Sequence, residues 1–170
     1  MIFGKKRDPR LVTVRRGGTL QDADHHRLAL WAADCAEHVL HFFERACPGD
    51  DRPRRAIGLA RAWARGEITM TQARTAAFAN AAAREVSGAA KLAALAAAQA
   101  VAVSHVPAHE LGAAAYAIRA ARAAAPEGKQ ERAGRLECRW QRAQLPGEIR
   151  DLVLDDQRLR NEVCWYVFDC

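Results

Sequence analysis

The sequence has little that would mark an enzyme or a membrane protein. No run of about 18 apolar residues occurs, because Arg74, Arg84, Glu85 and Lys91 interrupt the alanine-rich region, so no membrane span is expected. The chain contains no glycine-rich phosphate loop, no dinucleotide-binding glycine pattern, no serine nucleophile elbow and no zinc-deaminase pattern. We therefore expect no catalytic site and no cofactor.

Cysteine is sparse and is not arranged for pairing or metal binding. The cysteines are odd in number, far apart and without a C-x-x-C spacing; they are Cys35, Cys47, Cys138, Cys164 and Cys170. This pattern is typical of free thiols in a reducing compartment rather than of a disulfide framework. The charged N-terminus is not followed by an apolar core and a small-residue cleavage site, so it is not a secretory signal. A cytoplasmic protein is predicted.

β-Branched residues are scarce between Ala73 and Ala125, where alanine dominates instead. That window holds 26 of the chain's 38 alanines. Alanine is the strongest helix former and a poor strand former, and no long alternation of apolar and polar residues competes with helix. The length fits one domain, which would bury about 70% of its unfolded surface without a metal or disulfide. The composition therefore predicts an all-α fold.

Breakers and apolar spacing divide the chain into helices. Apolar residues recur at three- and four-residue spacings from Leu28 to Phe42, which gives the first helix one buried face. Prolines and glycines separate the later segments. Helices are predicted at about residues 22–46, 51–65, 69–86, 89–104, 107–125 and 129–144, with short helices at 148–154 and 156–162. The prediction is one alanine-rich bundle of about six to eight helices at residues 21–170, preceded by a short non-helical arm at residues 1–20.

Charge is unevenly distributed along this basic chain. Residues 1–20 have a net charge of +5 and residues 21–170 only +1. A basic arm can hold phosphates, so a nucleic-acid-associated protein is one alternative function, although the nearly neutral body makes nucleic acid the less favoured partner. Within the arm, residues 11–14 are predicted to be extended, and the apolar tail at residues 164–168 is predicted to pack on the body.

His105 and His109 are four residues apart, a spacing that places both side chains on one face of a continuous helix. Gly112 and Tyr116 extend the same stripe. Such a pair suits a metal, so a metal-binding protein or enzyme using His105 and His109 is a second alternative. Pro107 lies between the two histidines, and the glutamate of H-E-x-x-H is absent. Helix capping, packing or partner contact is therefore favoured over a metal site.

Two acids and three arginines surround the start of the second helix, at residues 50–55. Arginines do not stabilise the positive end of a helix, but guanidinium groups make bidentate contacts with carboxylates and phosphates. A charged helix start and a partner-binding patch both fit this pattern. Arginine, tryptophan and tyrosine most often dominate binding energy at interfaces. The predicted partner contacts are Arg52, Arg54, Arg55 and Trp63, with His105, His109 and Tyr116 as a second patch.

Other histidines and arginines have a simpler interpretation as solvated surface. His38 and His41 have carboxylates at three- and four-residue spacings on the first helix, which would suit acid–base catalysis but is common on exposed faces. The histidines at 25–26 lie at a helix entrance, where a capping or surface role is favoured. The arginines within residues 129–142 share one face, and an outer helix is favoured there over phosphate binding.

A series of ordered motifs runs through the predicted helices. They are LWAADCAE at 30–37, DRPRRAI at 51–57, RAWARGE at 61–67, HV-x-x-H with GAA-x-YA at 105–117, WQ at 140–141 and LP-x-x-IR-x-LVL at 145–154. In this order they resemble the Imm-five-like group of immunity proteins from bacterial polymorphic toxin systems, over residues 22–165. The resemblance implies an all-helical protein that neutralises a co-encoded toxin by binding it, and it supplies no catalytic residues.

The charge of the body bears on how such a protein would act. A protein that masks a nuclease would usefully be acidic, in imitation of the phosphate backbone, whereas this body is neutral and its arm is basic. We therefore expect shape-complementary or active-site-plugging contact, or a toxin that is not a nuclease.

Overall fold

The computed structural model describes residues 8–170, except for the side chain of Ala77. Its α-helices are α1 (Asp22–Ala46), α2 (Arg52–Ala64), α3 (Met70–Arg74), α4 (Phe78–Arg84), α5 (Gly88–Ala102), α6 (Glu110–Ala124), α7 (Gln130–Ala143) and α8 (Gly147–Arg160). Residues 8–170 form no β-strand, and their one isolated bridge joins Thr13 to Leu20. The predicted all-α bundle of six to eight helices is confirmed. No helix within this range is both long and apolar enough to cross a membrane.

Two predicted segments differ from the structure at their boundaries. The predicted helix at 69–86 is two helices, because a 3-10 turn at Thr75–Ala77 with a non-helical Ala76 separates α3 from α4. Thr69 starts α3 with a capping box, in which its side chain and that of Gln72 each accept from the other's backbone N–H. The two short helices expected after residue 147 are one helix, α8, since no proline or glycine interrupts residues 148–160.

Helix α5 is the centre of the bundle and packs against α1, α2, α4 and α6. Five of its alanines have no solvent exposure at all: Ala93, Ala94, Ala96, Ala97 and Ala100. A helix that is buried on several sides needs small side chains, because each methyl group adds only a little to the distance between neighbouring helix axes. The alanine-rich composition of α5 therefore allows this helix to lie at the centre of the bundle.

Larger apolar side chains on α1 complete the core around α5. Trp31 and Phe43 are both essentially fully buried, and the indole Nε1 of Trp31 donates to the backbone oxygen of Gln141 at 2.9 Å. That hydrogen bond satisfies the one polar atom of the indole and joins α1 to α7. The core therefore combines alanine-lined helix contacts with a few large side chains from the longest helix.

The described part of the arm, residues 8–20, folds back on the bundle. It contains 3-10 helices at Pro9–Leu11 and Val14–Arg16, so only the residues between them are extended as predicted. Leu11 and Leu20 are buried in the main core. Gly18 is required here, because a Cβ at this position would lie 2.0 Å from the backbone oxygen of Val12. The other basic residues of the predicted arm, Lys5, Lys6 and Arg7, lie outside the described residues.

The C-terminal tail packs on the body only in part as predicted, because Trp165 and Tyr166 are exposed, and it also corrects the prediction for cysteine. Val167 and Phe168 are buried. Cys138 of α7 and Cys170 form a disulfide with a Cα–Cα distance of 6.1 Å, so the prediction that all five cysteines are free thiols is wrong for these two. The residues are 32 positions apart, and only the return of the tail to α7 brings them together. Cys35, Cys47 and Cys164 are free.

Candidate functional site

The arginines at the start of α2 are occupied by neighbouring carboxylates. Arg52 pairs with Asp50 at 2.6 Å and with Glu85 at 2.5 Å, which joins the start of α2 to the segment after α4. Arg54 pairs with Glu44 at 2.6 Å, and its side chain remains 57% exposed. The guanidinium of Arg55 lies 5.0 Å from the ring centre of Phe78. The structure therefore uses all three arginines within the fold, while it leaves Arg54 and Arg55 open to solvent.

Trp63, at the other end of α2, belongs to a different group of side chains. Its ring makes edge-on contacts with the rings of His25 and His26, whose centres lie 4.7 and 4.9 Å from the centre of the Trp63 ring. These three residues and His105 line a cavity of about 390 Å³ between the arm, α1, α2 and the turn after α5, which we call the arm cavity. The predicted contacts Trp63 and His105 thus line the same cavity, and the arginines at the start of α2 do not line it.

His105 and His109 are neighbours, although no continuous helix joins them. His105 lies in the turn after α5, and Pro107–His109 form a 3-10 helix before α6. The two ring centres are 5.5 Å apart, and His109 Nδ1 donates to the side-chain oxygen of Gln99 at 2.8 Å. No group of three or more metal-ligating side chains occurs among the described residues. Two imidazoles alone do not complete a zinc site, which takes three or four protein ligands.

Tyr116 contacts aromatic and cationic side chains rather than the histidines. Its ring lies 5.4 Å from the ring of Trp165, and the guanidinium of Arg119 lies 4.1 Å from the Trp165 ring centre. Tyr166 follows in the chain and is 57% exposed, while Trp165 is 40% exposed. We call these four residues the aromatic surface: Tyr116, Arg119, Trp165 and Tyr166.

The backbone under this surface is unusual. Trp165 and Tyr166 have φ values of 59° and 55°, a left-handed conformation that costs a bulky residue about 1–3 kcal/mol. Asn161 holds the turn in place: its backbone oxygen accepts from the N–H of Tyr166 at 2.8 Å, and its side chain accepts from the N–H of Phe168 at 3.1 Å. The disulfide at Cys170 fixes the end of the same segment. Two exposed aromatic side chains are therefore held on a fixed backbone.

His38 takes part in a carboxylate–histidine pair, but with a partner from another helix. Its Nδ1 lies 2.7 Å from Oε2 of the buried Glu137 of α7, and its ring stacks on Trp140 at 3.6 Å. Gln141 donates from Nε2 to the other oxygen of Glu137 at 2.9 Å. The arrangement clamps α1 to α7. His38 is exposed to solvent, in agreement with the predicted solvated face, and it also makes a contact between helices that was not predicted.

A second buried polar group lies beside the histidine pair. Arg160 donates to Asp156 at 2.7 Å, to Glu110 at 3.2 Å and to the backbone oxygen of Ala108 at 3.0 Å. Both carboxylates are nearly inaccessible to solvent. Burial raises the pKa of the Glu110 carboxyl well above its ordinary value. Burial also raises the pKa of the nearby Cys164 thiol to about 12, which makes it a poor nucleophile.

Several of these contacts were not predicted from the sequence. Arg119, Trp165 and Tyr166 were not singled out as contacts, although three aromatic residues in an exposed or half-buried cluster are a known signature of interfaces. A signal was present in the tail, where Trp165 and Tyr166 are consecutive. The partnership of His38 with Glu137 had no signal, because the two residues are 99 positions apart.

The comparisons with known proteins agree with the motifs in the helices. The family model described as Imm-5 like putative immunity protein matches residues 18–148. No curated protein and no solved structure matches the chain. The match includes the α2 arginines, Tyr116 and those residues of the arm cavity that follow residue 18. It ends before Trp165. Because the match covers most of its length, the chain belongs to the Imm-5 like family of immunity proteins.

Proposed function

We propose that this protein neutralises a toxin by binding to it, that it catalyses no reaction of its own, and that the aromatic surface is the principal contact. Family membership supports an immunity role. The observation that supports this location is the pair of exposed aromatic residues with positive φ, Trp165 and Tyr166. A strained, solvent-exposed tryptophan offers the fold little, whereas tryptophan, tyrosine and arginine are the residues that dominate binding energy at interfaces.

The fixed backbone of the tail favours tight binding. Asn161 holds Trp165 and Tyr166 before any partner arrives, and the disulfide adds to this constraint in the oxidised fraction of the protein. The guanidinium of Arg119 lies against the Trp165 ring and restricts the rotamers of that side chain. Ordering a flexible side chain at an interface costs about 0.5–1.5 kcal/mol, and a preorganised surface avoids most of that cost.

The aromatic surface also suits the requirement that an immunity protein recognise its own toxin. The family model matches residues 18–148, so the surface combines two residues inside the match, Tyr116 and Arg119, with two outside it. We assign the discrimination between toxins to Trp165 and Tyr166. We assign a common docking position to Tyr116 and Arg119, the two residues within the match.

The predicted contacts at α2 form a second proposed region, with acidic groups of the toxin as their partners. Exposed ion pairs contribute only about 0–1 kcal/mol, so Arg54 and Arg55 can exchange Glu44 and Asp51 for a partner's carboxylates at low cost. Arg52, with two carboxylates, is less readily released. Trp63, His105 and His109 stay secondary proposed contacts, and of these Trp63 and His105 line the arm cavity.

The absence of catalysis is supported by the state of the reactive side chains. The thiols of Cys35 and Cys164 are buried, and burial raises the pKa of both, so neither is an effective nucleophile near neutral pH. His38 is held between Glu137 and Trp140. A partner-binding role requires no such group.

We place the protein in the cytoplasm, where an immunity protein meets a toxin made in the same cell. Cytoplasmic reductants keep most thiols reduced, so the Cys138–Cys170 pair is expected there as a mixture of dithiol and disulfide. Trapping the thiols with acid during lysis and measuring the mass of the alkylated protein gives that ratio. A fully oxidised pair would argue for an oxidising compartment instead.

The test is protection of cells against the toxin encoded beside this gene. The wild-type protein should protect and should co-purify with the toxin. Trp165→Ala and Tyr166→Ala should each weaken binding by about 2 kcal/mol, which is roughly 30-fold. Leu136→Ala is the matched control, because Leu136 is an exposed apolar residue of α7 with 54% exposure.

The outcomes separate the two parts of the proposal. Failure of the wild-type protein to protect or to bind would remove the immunity function. Normal binding by both aromatic variants, with a loss in Arg54→Ala and Arg55→Ala, would move the contact to α2. Turnover of a substrate by the isolated protein would contradict the non-catalytic role.

A further inference from the structure

The arm cavity has more cationic groups than carboxylates to pair with them. Arg15 and Arg16 line it from the arm, and the carboxylate in its lining is Asp22. Asp22 already pairs with Arg15. Arg16 forms no ion pair with any residue from 8 to 170. The wall formed by the arm therefore presents a guanidinium group that has no partner in the described fold.

The histidine rings of the cavity also have nitrogen atoms without hydrogen-bond partners among the described residues. His25 Nε2 donates to the backbone oxygen of Val103 at 2.7 Å, which leaves Nδ1 of the neutral ring unprotonated. His105 Nδ1 is buried and has no hydrogen-bond partner within residues 8–170. Because a water molecule cannot reach this nitrogen, Nε2 of the same ring is the atom that a ligand in the cavity can contact.

Two further features of the cavity fit a ligand with a negative end and an apolar end. Gln21 caps α1 without a side-chain hydrogen bond, so the first N–H groups of this 25-residue helix have no side-chain acceptor. Trp63, Val106 and Pro107 supply an apolar wall. The volume of about 390 Å³ lies in the range of small-molecule sites.

We propose that the arm cavity binds a small organic anion, with its phosphate or carboxylate group held by Arg16 and His105 and its flat apolar part against Trp63. The ligand would supply the acceptor that His105 lacks and the countercharge that Arg16 lacks. This site shares no residue with the aromatic surface, so it does not depend on the toxin contact proposed there.

Protonation of the histidines accompanies binding. Burial lowers the pKa of both His25 and His105, and the nearby Arg74 and Arg16 lower that of His105 further. His26, Arg15 and Asp22 are the other titratable or charged groups in the lining. An anion favours the protonated rings, so its affinity should rise as the pH falls from about 8 to about 6.

The test uses the full-length protein and three probes: phenyl phosphate, inorganic phosphate and the neutral phenol. Binding is followed by NMR of the histidine ring signals, assigned with His25→Gln and His105→Gln. Phenyl phosphate should shift the His105 signals and raise the pH at which His105 titrates, inorganic phosphate should bind more weakly, and phenol should have no effect. Arg16→Gln should weaken phenyl phosphate at least about tenfold, the value of one charge-assisted hydrogen bond.

Arg84→Gln is the matched control, because Arg84 is an exposed arginine at the end of α4 and does not line the cavity. Its affinity for phenyl phosphate should equal that of the wild type. If Arg16→Gln folds poorly, as judged by circular dichroism, His105→Gln serves as the second variant and should also weaken binding. Equal binding of phenol and phenyl phosphate, equal affinities of the two arginine variants, or unchanged histidine signals with every probe would each overturn the proposal.

Discussion

Loss of the disulfide between Cys138 and Cys170 is expected to lower the free energy of unfolding by about 3–4 kcal/mol. The bond closes a loop with a sequence separation of 32. In the loop-entropy treatment, a closed loop of this length removes about 12 cal/mol/K from the unfolded chain, which is about 3.7 kcal/mol at 25 °C. A typical domain is stable by only about 5–15 kcal/mol, so a loss of this size is easily measured.

Cys170→Ser is the suitable perturbation, because Cys170 is only half-buried while Cys138 is buried in the core. Urea unfolding, followed by circular dichroism, should give a lower midpoint for Cys170→Ser than for the oxidised wild type. Reductant should lower the wild-type midpoint to the same value and leave the variant unchanged. Cys47→Ser, at a free and half-buried cysteine, is the control and should unfold near the wild type.

The result that would refute the reasoning is equally specific. If oxidised wild type and Cys170→Ser have the same midpoint and the same slope with urea, the bond does not constrain the unfolded chain as the loop length requires. If only tryptophan fluorescence responds while helicity does not, the tail has detached from an intact bundle. The disulfide would then hold the aromatic surface without stabilising the domain.

Two further predictions concern the core and its buried charges. Ala97→Leu should destabilise the protein by at least about 1–3 kcal/mol, since Ala97 of α5 has no solvent exposure and no room for three more carbons. Ala123→Leu, on the exposed side of α6, should change the melting temperature little. Equal effects of the two substitutions would contradict the close packing of α5. For Glu110, the raised pKa of the folded state means that its contribution to stability is full below its ordinary value of 4.5 and is lost as the pH rises through the folded value. Wild type should therefore lose stability more steeply than Glu110→Gln as the pH rises above 4.5, and parallel dependences of stability on pH in the two proteins would contradict the raised pKa.

Much of the fold could be predicted because it depends on local chemistry. Alanine content, prolines and glycines determined which segments are helical and where most of them end, and Pro107 and Pro126 are examples. The kink at Ala76 had no such signal, because threonine and alanines surround it and none of them is a helix breaker. Propensity reports what one segment prefers, and it contains no information about the packing of neighbours.

The candidate site was harder to predict for the same physical reason. Tyr116 was predicted as a contact, but its partner Trp165 is 49 positions further along, and no periodicity relates the two. The disulfide likewise depends on how the tail returns to α7, which cysteine spacing does not encode. The spacing of His105 and His109 drew attention to them as a pair. The short turn through Pro107, rather than a continuous helix, places their ring centres 5.5 Å apart.

The location of the two proposed sites follows from the composition of the bundle. A core built on alanine helices buries methyl groups efficiently, but it offers few side chains large enough to form a cavity or a contact surface between the helices. Part of each site therefore comes from segments beyond the alanine-rich helices: the arm supplies Arg16 to the cavity beside Trp63 of α2, and the tail supplies Trp165 to the aromatic surface beside Tyr116 of α6. Substitutions within α5 should then alter stability without altering partner choice. Substitutions of exposed binding residues in the arm or tail, such as Arg16 and Trp165, should alter binding with little effect on the melting temperature, unlike Cys170→Ser. A variant series that mixed the two effects at these positions would show that the bundle is more than a scaffold.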